Sequence, residues 1–301
     1  MQFRIFGILI ALFSSIATMA QTRYIDAVFS KIETKTYTYS DTLQLDVYTS
    51  KKDKIDSRPL ILLVHGGGFG SGKRDNPLEK KFCTKMAGKG YVVASMSYRL
   101  LRKNNGFGCT VPAREKIETF LTATEDILKA ADFLVKNAID LRVDPNTIIL
   151  AGSSAGAEAV LNTVFMKNQY RFKKLPYGEI GFSGVISFSG AVVDSEYISS
   201  ETALPSMFFH GKKDKLVPFA TAPHHYCDPD KLGYLMLDGP ESIVKKLEDL
   251  NTSYLLAVDP IGNHDWANLA YGYTDIIAEF IEKTIIKRRM VQTKMEIRRN
   301  Q

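Results

Sequence analysis

Apolar runs and amphipathic stretches alternate along most of this chain. Short runs of apolar and small residues recur at Leu60 to Val64, Tyr91 to Met96, Thr147 to Ala151, Gly184 to Phe188, Ser206 to His210 and Ser253 to Val258. A strand covered on both faces buries both of its side-chain sets, so continuous runs of this kind predict central strands of a parallel sheet. Between them, apolar residues return every three or four positions in Glu115 to Asn137, Ala155 to Lys167, Glu241 to Leu250 and Trp266 to Ile285, with a shorter stretch at Leu78 to Met86. That period gathers them on one face of a helix. Thr34 to Ser40 and Leu43 to Ser50 alternate about Asp41-Thr42, which predicts an antiparallel hairpin. The order implies an α/β architecture: a mostly parallel eight-stranded sheet with helices on both faces.

The first twenty residues follow another pattern. Arg4, the apolar run Ile5 to Phe13 and the small residues around Thr18-Met19-Ala20 have the layout of a secretory signal peptide cleaved after Ala20, too short for a stable membrane span. Residues 21–282 then form a single domain and 283–301 a basic tail, in a protein expected to be secreted or periplasmic. The net charge of +6 fits this division, because the stretch from Lys283 onward holds seven Lys and Arg against the single Glu296. The rest of the chain is balanced, so no basic face for nucleic acid is expected, and the tail reads as a solvated, frayed helix end.

Candidate chemistry sits where apolar runs end. Leu60 to Val64 leads directly into His65-Gly66-Gly67-Gly68-Phe69, and consecutive glycines leave backbone N–H groups unshielded, suited to gripping an oxyanion. Thr147 to Ala151 leads into Gly152-Ser153-Ser154-Ala155-Gly156, a G-x-S-x-G between a strand and a helix. A turn that tight pushes the Ser154 hydroxyl into the open.

This ordered pair resembles the α/β-hydrolase superfamily, in particular carboxylesterases with an HGGG oxyanion loop, from about Thr34 to about Lys283. The resemblance implies a chain order of serine, acid, histidine. His210-Gly211-Lys212-Lys213-Asp214-Lys215-Leu216-Val217-Pro218 is similar to the family's acid loop, so Asp214 is the implied acid, with Asp194 the alternative one strand earlier. His264, in Gly262-Asn263-His264-Asp265, stands where the family keeps its base, while His65 is implied to hold the oxyanion loop by hydrogen bonds. The N–H groups of Ala155 and of Gly67 or Gly68 would hold the oxyanion. No cofactor or metal is implied. Tyr98-Arg99-Leu100 is similar to a D-Y-R-L stretch of the hormone-sensitive-lipase-like esterases, except that Ser97 replaces the acid. Arg99 reads as an internal ion-pair residue, with Glu158 its candidate partner.

Two loops, Leu100 to Arg114 and Phe219 to Pro240, fall on the side where the elbow opens. They suggest an aromatic cleft lined by Phe69, Phe107, Tyr226 and Trp266. His224, His225, Cys227, Asp228 and Asp230 match no zinc spacing. Of the three cysteines, Cys83 falls on a helix's apolar face, which leaves Cys109 and Cys227 to pair across the two loops. The stretch from Gly190 to Pro205 is short for a lid. The expectation is therefore a serine ester hydrolase acting through an acyl-enzyme on short acyl or carbohydrate-linked (acetyl or feruloyl) esters. The alternatives are a prolyl-oligopeptidase-type peptidase, for whose extra peptide-selecting domain there is no stretch, and a non-catalytic binding protein on the same fold, which would generally lack a triad member.

Overall fold

The computed structural model describes residues 22–299. The expected signal peptide, Met1 to Ala20, lies outside the described residues. The strands and helices run, in chain order, β1 (Glu33–Ser40), β2 (Leu43–Thr49), β3 (Arg58–Val64), α1 (Pro77–Gly88), β4 (Val92–Met96), α2 (Ala113–Lys136), α3 (Ala138–Leu141), β5 (Val143–Ser153), α4 (Ala155–Phe165), β6 (Gly184–Phe188), β7 (Ser206–Gly211), β8 (Thr221–Pro223), β9 (Met236–Asp238), α5 (Pro240–Asp249), β10 (Tyr254–Asp259), α6 (Trp266–Leu269), α7 (Thr274–Ile281) and β11 (Gln292–Glu296).

The main sheet has the order β1-β2-β4-β3-β5-β6-β7-β10-β11. β1 pairs antiparallel with β2, and β2 with β4; every other neighbour pair is parallel. Alternation along β3 shows why both faces must be covered. Leu60, Leu62 and Val64 face one core with α2, α4 and α5, while Ile61 and Leu63 face the other with α1 and α7. All five are fully buried, and each large aliphatic side chain so placed contributes about 1.5–3 kcal/mol of transfer free energy.

Three expectations change. The sheet has nine strands instead of eight, because the presumed tail contributes β11, which pairs in parallel with β10 from Tyr254↔Gln292 to Val258↔Glu296. Apart from Met295 its residues are polar and exposed, since an edge strand needs only backbone groups to pair, so residue pattern alone does not reveal it. The Ile297 N–H then donates to Val258 O at 2.9 Å and its side chain is buried. The helix expected over Trp266 to Ile285 is interrupted: α6 stops after one turn, and α7 starts only at Thr274, beyond the non-helical Tyr273. The loop from Phe219 to Pro240 carries a two-stranded ribbon, β8 with β9.

If the C-terminal segment is a packed strand, Ile297→Ala should lower stability by about 2 kcal/mol or more, the usual cost of truncating a buried aliphatic side chain. Urea unfolding that gives the same midpoint and slope as the parent chain would return residues 283–299 to the frayed-tail reading.

Candidate active site

The loops that follow β3, β5, β7 and β10 meet at one edge of the sheet. Between β5 and α4, Ser154 takes φ 51° and ψ −120°, a region costly for a residue with a side chain. Close packing imposes it: a Cβ on Gly156 would come within 2.2 Å of Val64 O, so only glycine lets the first turn of α4 lie this tightly on β3. The Ser154 N–H donates to Phe188 O at 2.8 Å, which ties the turn to β6.

Ser154 Oγ lies 2.7 Å from His264 Nε2, and His264 Nδ1 donates to Asp214 Oδ2 at 2.7 Å. Asp214 is fully buried, and its Oδ1 accepts from the N–H groups of Leu216 at 2.8 Å and Val217 at 3.0 Å. Burial by itself would raise its pKa, yet the His264 hydrogen bond, His210 and these N–H groups hold the carboxyl below the usual range. His210, whose Nε2 lies 3.4 Å from Asp214 Oδ2, donates to Val217 O, and burial lowers its pKa against the opposing pull of Asp214. Asp194 is not part of this chain of contacts; it caps a short turn by accepting from the Glu196 N–H.

The two loops are also joined to one another. Lys212 N–H donates to Asp259 O and Lys213 N–H to Gly262 O, both at 2.8 Å, so the Asp214 turn and the His264 loop move as one piece. Trp266 anchors the latter: its Nε1 donates to Asp259 Oδ2 at 2.9 Å and its ring is fully buried. Trp266 is therefore a core residue and not a cleft wall.

Gly67 at φ 118° and Gly68 at φ 59° form the oxyanion turn, closed by Gly70 and Ser71 N–H groups donating to Gly67 O. Among the described residues the N–H groups of Gly67, Gly68 and Ala155 donate to no protein acceptor. His65 holds the turn as expected, with Nδ1 2.7 Å from Gly66 O and its ring stacked on Tyr98. Phe69 and Phe107, expected in the cleft, are buried against each other and Phe120. Their size makes the oxyanion turn's foundation out of what the sequence offers as a wall. Tyr226 alone of the four reaches solvent, with the Lys215 ammonium over its ring.

The cleft that does border the serine, about 340 Å³, is lined by Gly66 to Gly68, Ser71, Gly72, Asn76, Glu79, Ser153, Ser154, His264, Ala267 and Asn268. Two of its polar side chains, Asn76 and Glu79, come from the start of α1, where an Asn and a Glu have the pattern of ordinary helix-start residues.

Cys109 and Cys227 form a disulfide and Cys83 is free and buried. The bridge braces the site, because the residue two before Cys227, His225, donates its N–H to Leu216 O, next to Asp214. Among the described residues no cluster of three His, Cys, Asp or Glu is arranged to hold a metal.

Arg99 pairs with Asp126 and Glu125 instead of Glu158. Glu158 points into a sealed cluster behind the elbow: its Oε1 lies 3.2 Å from His224 Nε2 but off hydrogen-bond geometry, and neither atom has another partner. Burial pushes the Glu158 carboxyl up to about 8, opposed by His225, His264 and Lys116 and reinforced by Asp214. Burial likewise brings Lys116 down to about 8, His225 to about 4 and His224 to about 3. Lys116 Nζ donates to Gly233 O at 2.8 Å.

The sheet order, elbow and oxyanion loop give this chain an α/β-hydrolase fold with a site similar to that of carboxylesterases. The BD-FAE family profile matches residues 45–193. Gut esterase 1 of Caenorhabditis elegans is 29% identical over 133 residues, which are 41% of this chain and 21% of that protein. The chain thus spans about a fifth of that curated relative. Among solved structures, the butyrate-bound Est2 esterase of the Planctomycetes species Thermogutta terrifontis superposes with a TM-score of 0.59 at 18% identity, covering 87% of this chain and 96% of that one. Thermogutta terrifontis esterase 2 phosphorylated by paraoxon gives 0.60 at 21% identity, over 87% and 97% of the two chains. At these identities the likeness is one of fold. Among the described residues no helix is long and apolar enough to cross a membrane.

A folded pKa raised above the unfolded value means stability that is present at low pH and lost as pH rises. Glu158→Gln should therefore gain stability relative to the parent between about pH 5 and about pH 8, the window in which only the unfolded carboxyl ionises. Urea midpoints of both proteins at the two pH values measure this; an equal difference at both would mean that Glu158 folds as an ordinary ionised carboxylate.

Proposed function

We propose that the protein is an exported serine carboxylic-ester hydrolase that works through an acyl-enzyme on short acyl esters, including carbohydrate-linked ones. The observation that carries this reading is the unbroken contact chain from Ser154 Oγ through His264 to Asp214. Ser154 attacks the acyl carbon while its proton passes to His264 Nε2. Asp214 keeps the proton on Nδ1, so that Nε2 presents its lone pair, and stabilises the imidazolium. The oxyanion meets the N–H groups of Ala155 and of Gly67 or Gly68, each such donor being worth about 2.7–4 kcal/mol of barrier. His264 returns the proton to the departing alcohol, and water repeats the sequence to free the acid.

The small size and polar lining of the cleft beside Ser154 support small polar esters over esters with long alkyl chains. Butyrate bound in the related Thermogutta esterase is in keeping with that scale. Export is supported by the disulfide, which persists in oxidising compartments.

A fluorophosphonate should label Ser154, and Asp214→Asn should lower kcat by about 10⁴ while Asp194→Asn changes it little, because only Asp214 fixes the imidazole tautomer. Adduct mapping and steady-state kinetics provide the check; a label on Ser153, or the reverse ranking of the two aspartates, would refute the assignment. On a series of p-nitrophenyl esters, kcat/KM should be higher for acetate through butyrate than for long-chain acids. A profile rising steadily beyond octanoate with interfacial activation would identify a lipase instead.

A further inference from the structure

We propose that Glu79 is a specificity-determining residue of this site, whose carboxyl hydrogen-bonds a free hydroxyl on the alcohol half of the ester, so that the preferred substrates are monoesters of vicinal diols and larger polyols. The proposal rests on the ester-hydrolase reading and adds a substrate class to it.

Glu79 sits in the first turn of α1, three residues after Asn76, the N-cap position. That spacing is the capping box, in which the glutamate would reach back to the cap N–H. No side-chain cap hydrogen bond forms here. Instead, Oε1 accepts from the buried Tyr271 hydroxyl at 3.1 Å, which aims the carboxyl inward, into the wall of the cleft that holds Ser154 and His264. The remaining hydrogen bonds to the carboxyl come only from its own turn, from Asn76 and the Glu79 N–H. Burial raises its pKa, partly offset by these hydrogen bonds, so the side chain is held at an energetic disadvantage that an apolar residue would avoid. A carboxylate has about four acceptor sites, so one that borders a reaction cleft and is met by three donors can still accept a substrate hydroxyl.

The alcohol half belongs on this side. Its oxygen must come within hydrogen-bond reach of His264 Nε2 to receive the proton. The cleft in question is bounded by His264, Ala267 and Asn268, facing Ser71, Asn76 and Glu79 from the oxyanion turn and α1. Behind the elbow, Phe69, Ala155, Glu158 and His224 are packed without exposure or nearly so, which leaves the alcohol half no room on that side.

The test compares cis-1,2-cyclohexanediol monoacetate with cyclohexyl acetate, which differ by the one hydroxyl. A hydrogen bond to a charged or strongly polar acceptor corresponds to a preference of about 10- to 100-fold. The parent protein should favour the diol ester in kcat/KM by that factor, Glu79→Gln should keep part of the preference, and Glu79→Ala should bring the ratio near one. The ratio is read within each protein, so a general loss of activity does not mimic the result, and the parent's own preference needs no variant to fold. A parent ratio near one, or a ratio that survives Glu79→Ala, overturns the proposal. So does a preference that appears only when the hydroxyl is moved to the acyl side, measured with ethyl glycolate against ethyl acetate. If the parent cleaves neither acetate and a fluorophosphonate leaves Ser154 unlabelled, the ester-hydrolase reading itself fails; cleavage of both acetates with no preference removes Glu79's role alone.

Discussion

The close approach of α4 to β3 and β5 is the constraint from which the site follows. Because Gly156 lies against the Val64 carbonyl, the chain between β5 and α4 has to turn within a single residue, and Ser154 takes the positive φ that results. The strain is held by burial on every side: all eleven residues of α4 are buried, and the Ser154 N–H is pinned to β6. The same geometry leaves the Ala155 N–H at the start of the helix without an intrahelical partner, beside the glycines of the loop that follows β3. One packing contact thus exposes a hydroxyl and supplies an anion-binding donor next to it.

Everything else at the sheet's edge acts to hold a histidine against that hydroxyl. The Asp214 and His264 turns share backbone hydrogen bonds, Trp266 fastens the second turn to Asp259, and the Cys109–Cys227 bridge steadies the loop that braces the first. These contacts are short-range and mostly between backbone groups, so the relative position of acid and base depends little on side chains at the surface. Stabilisation of this kind suits a triad, in which a displacement of about 1 Å at the reacting groups is costly.

The polar groups buried around this frame are the opposite case. The Glu158, His224, His225 and Lys116 cluster and the Glu79 carboxyl are each shifted toward their neutral forms by burial. Buried polar atoms without full hydrogen bonding weaken a fold, and here they surround the nucleophile on two sides. Their placement divides the surroundings of Ser154 into a sealed, rigid side behind the elbow and an open polar side along α1.

Much of this was legible in the residues. Continuous apolar runs marked the buried central strands, since a strand covered on both faces has no other solution. The glycine-rich turns marked the reactive edge, because only glycine permits such backbone approaches, and the ordered positions of Ser154, Asp214 and His264 singled out the three side chains that meet. The edge strand β11 escaped notice because its stability comes from backbone pairing with β10, to which residue type is nearly indifferent. Aromatic residues near a site suit either a wall or a core, and Phe69, Phe107 and Trp266 became core through contacts that residue pattern does not show, the first two with Phe120 and Trp266 with Asp259. The partner of Arg99 and the inward turn of Glu79 were settled in the same way, by Asp126 and Tyr271. Local pattern determines which segments become strand, helix or tight turn, whereas the direction a long polar or aromatic side chain takes is decided by neighbours that only the folded chain brings within reach.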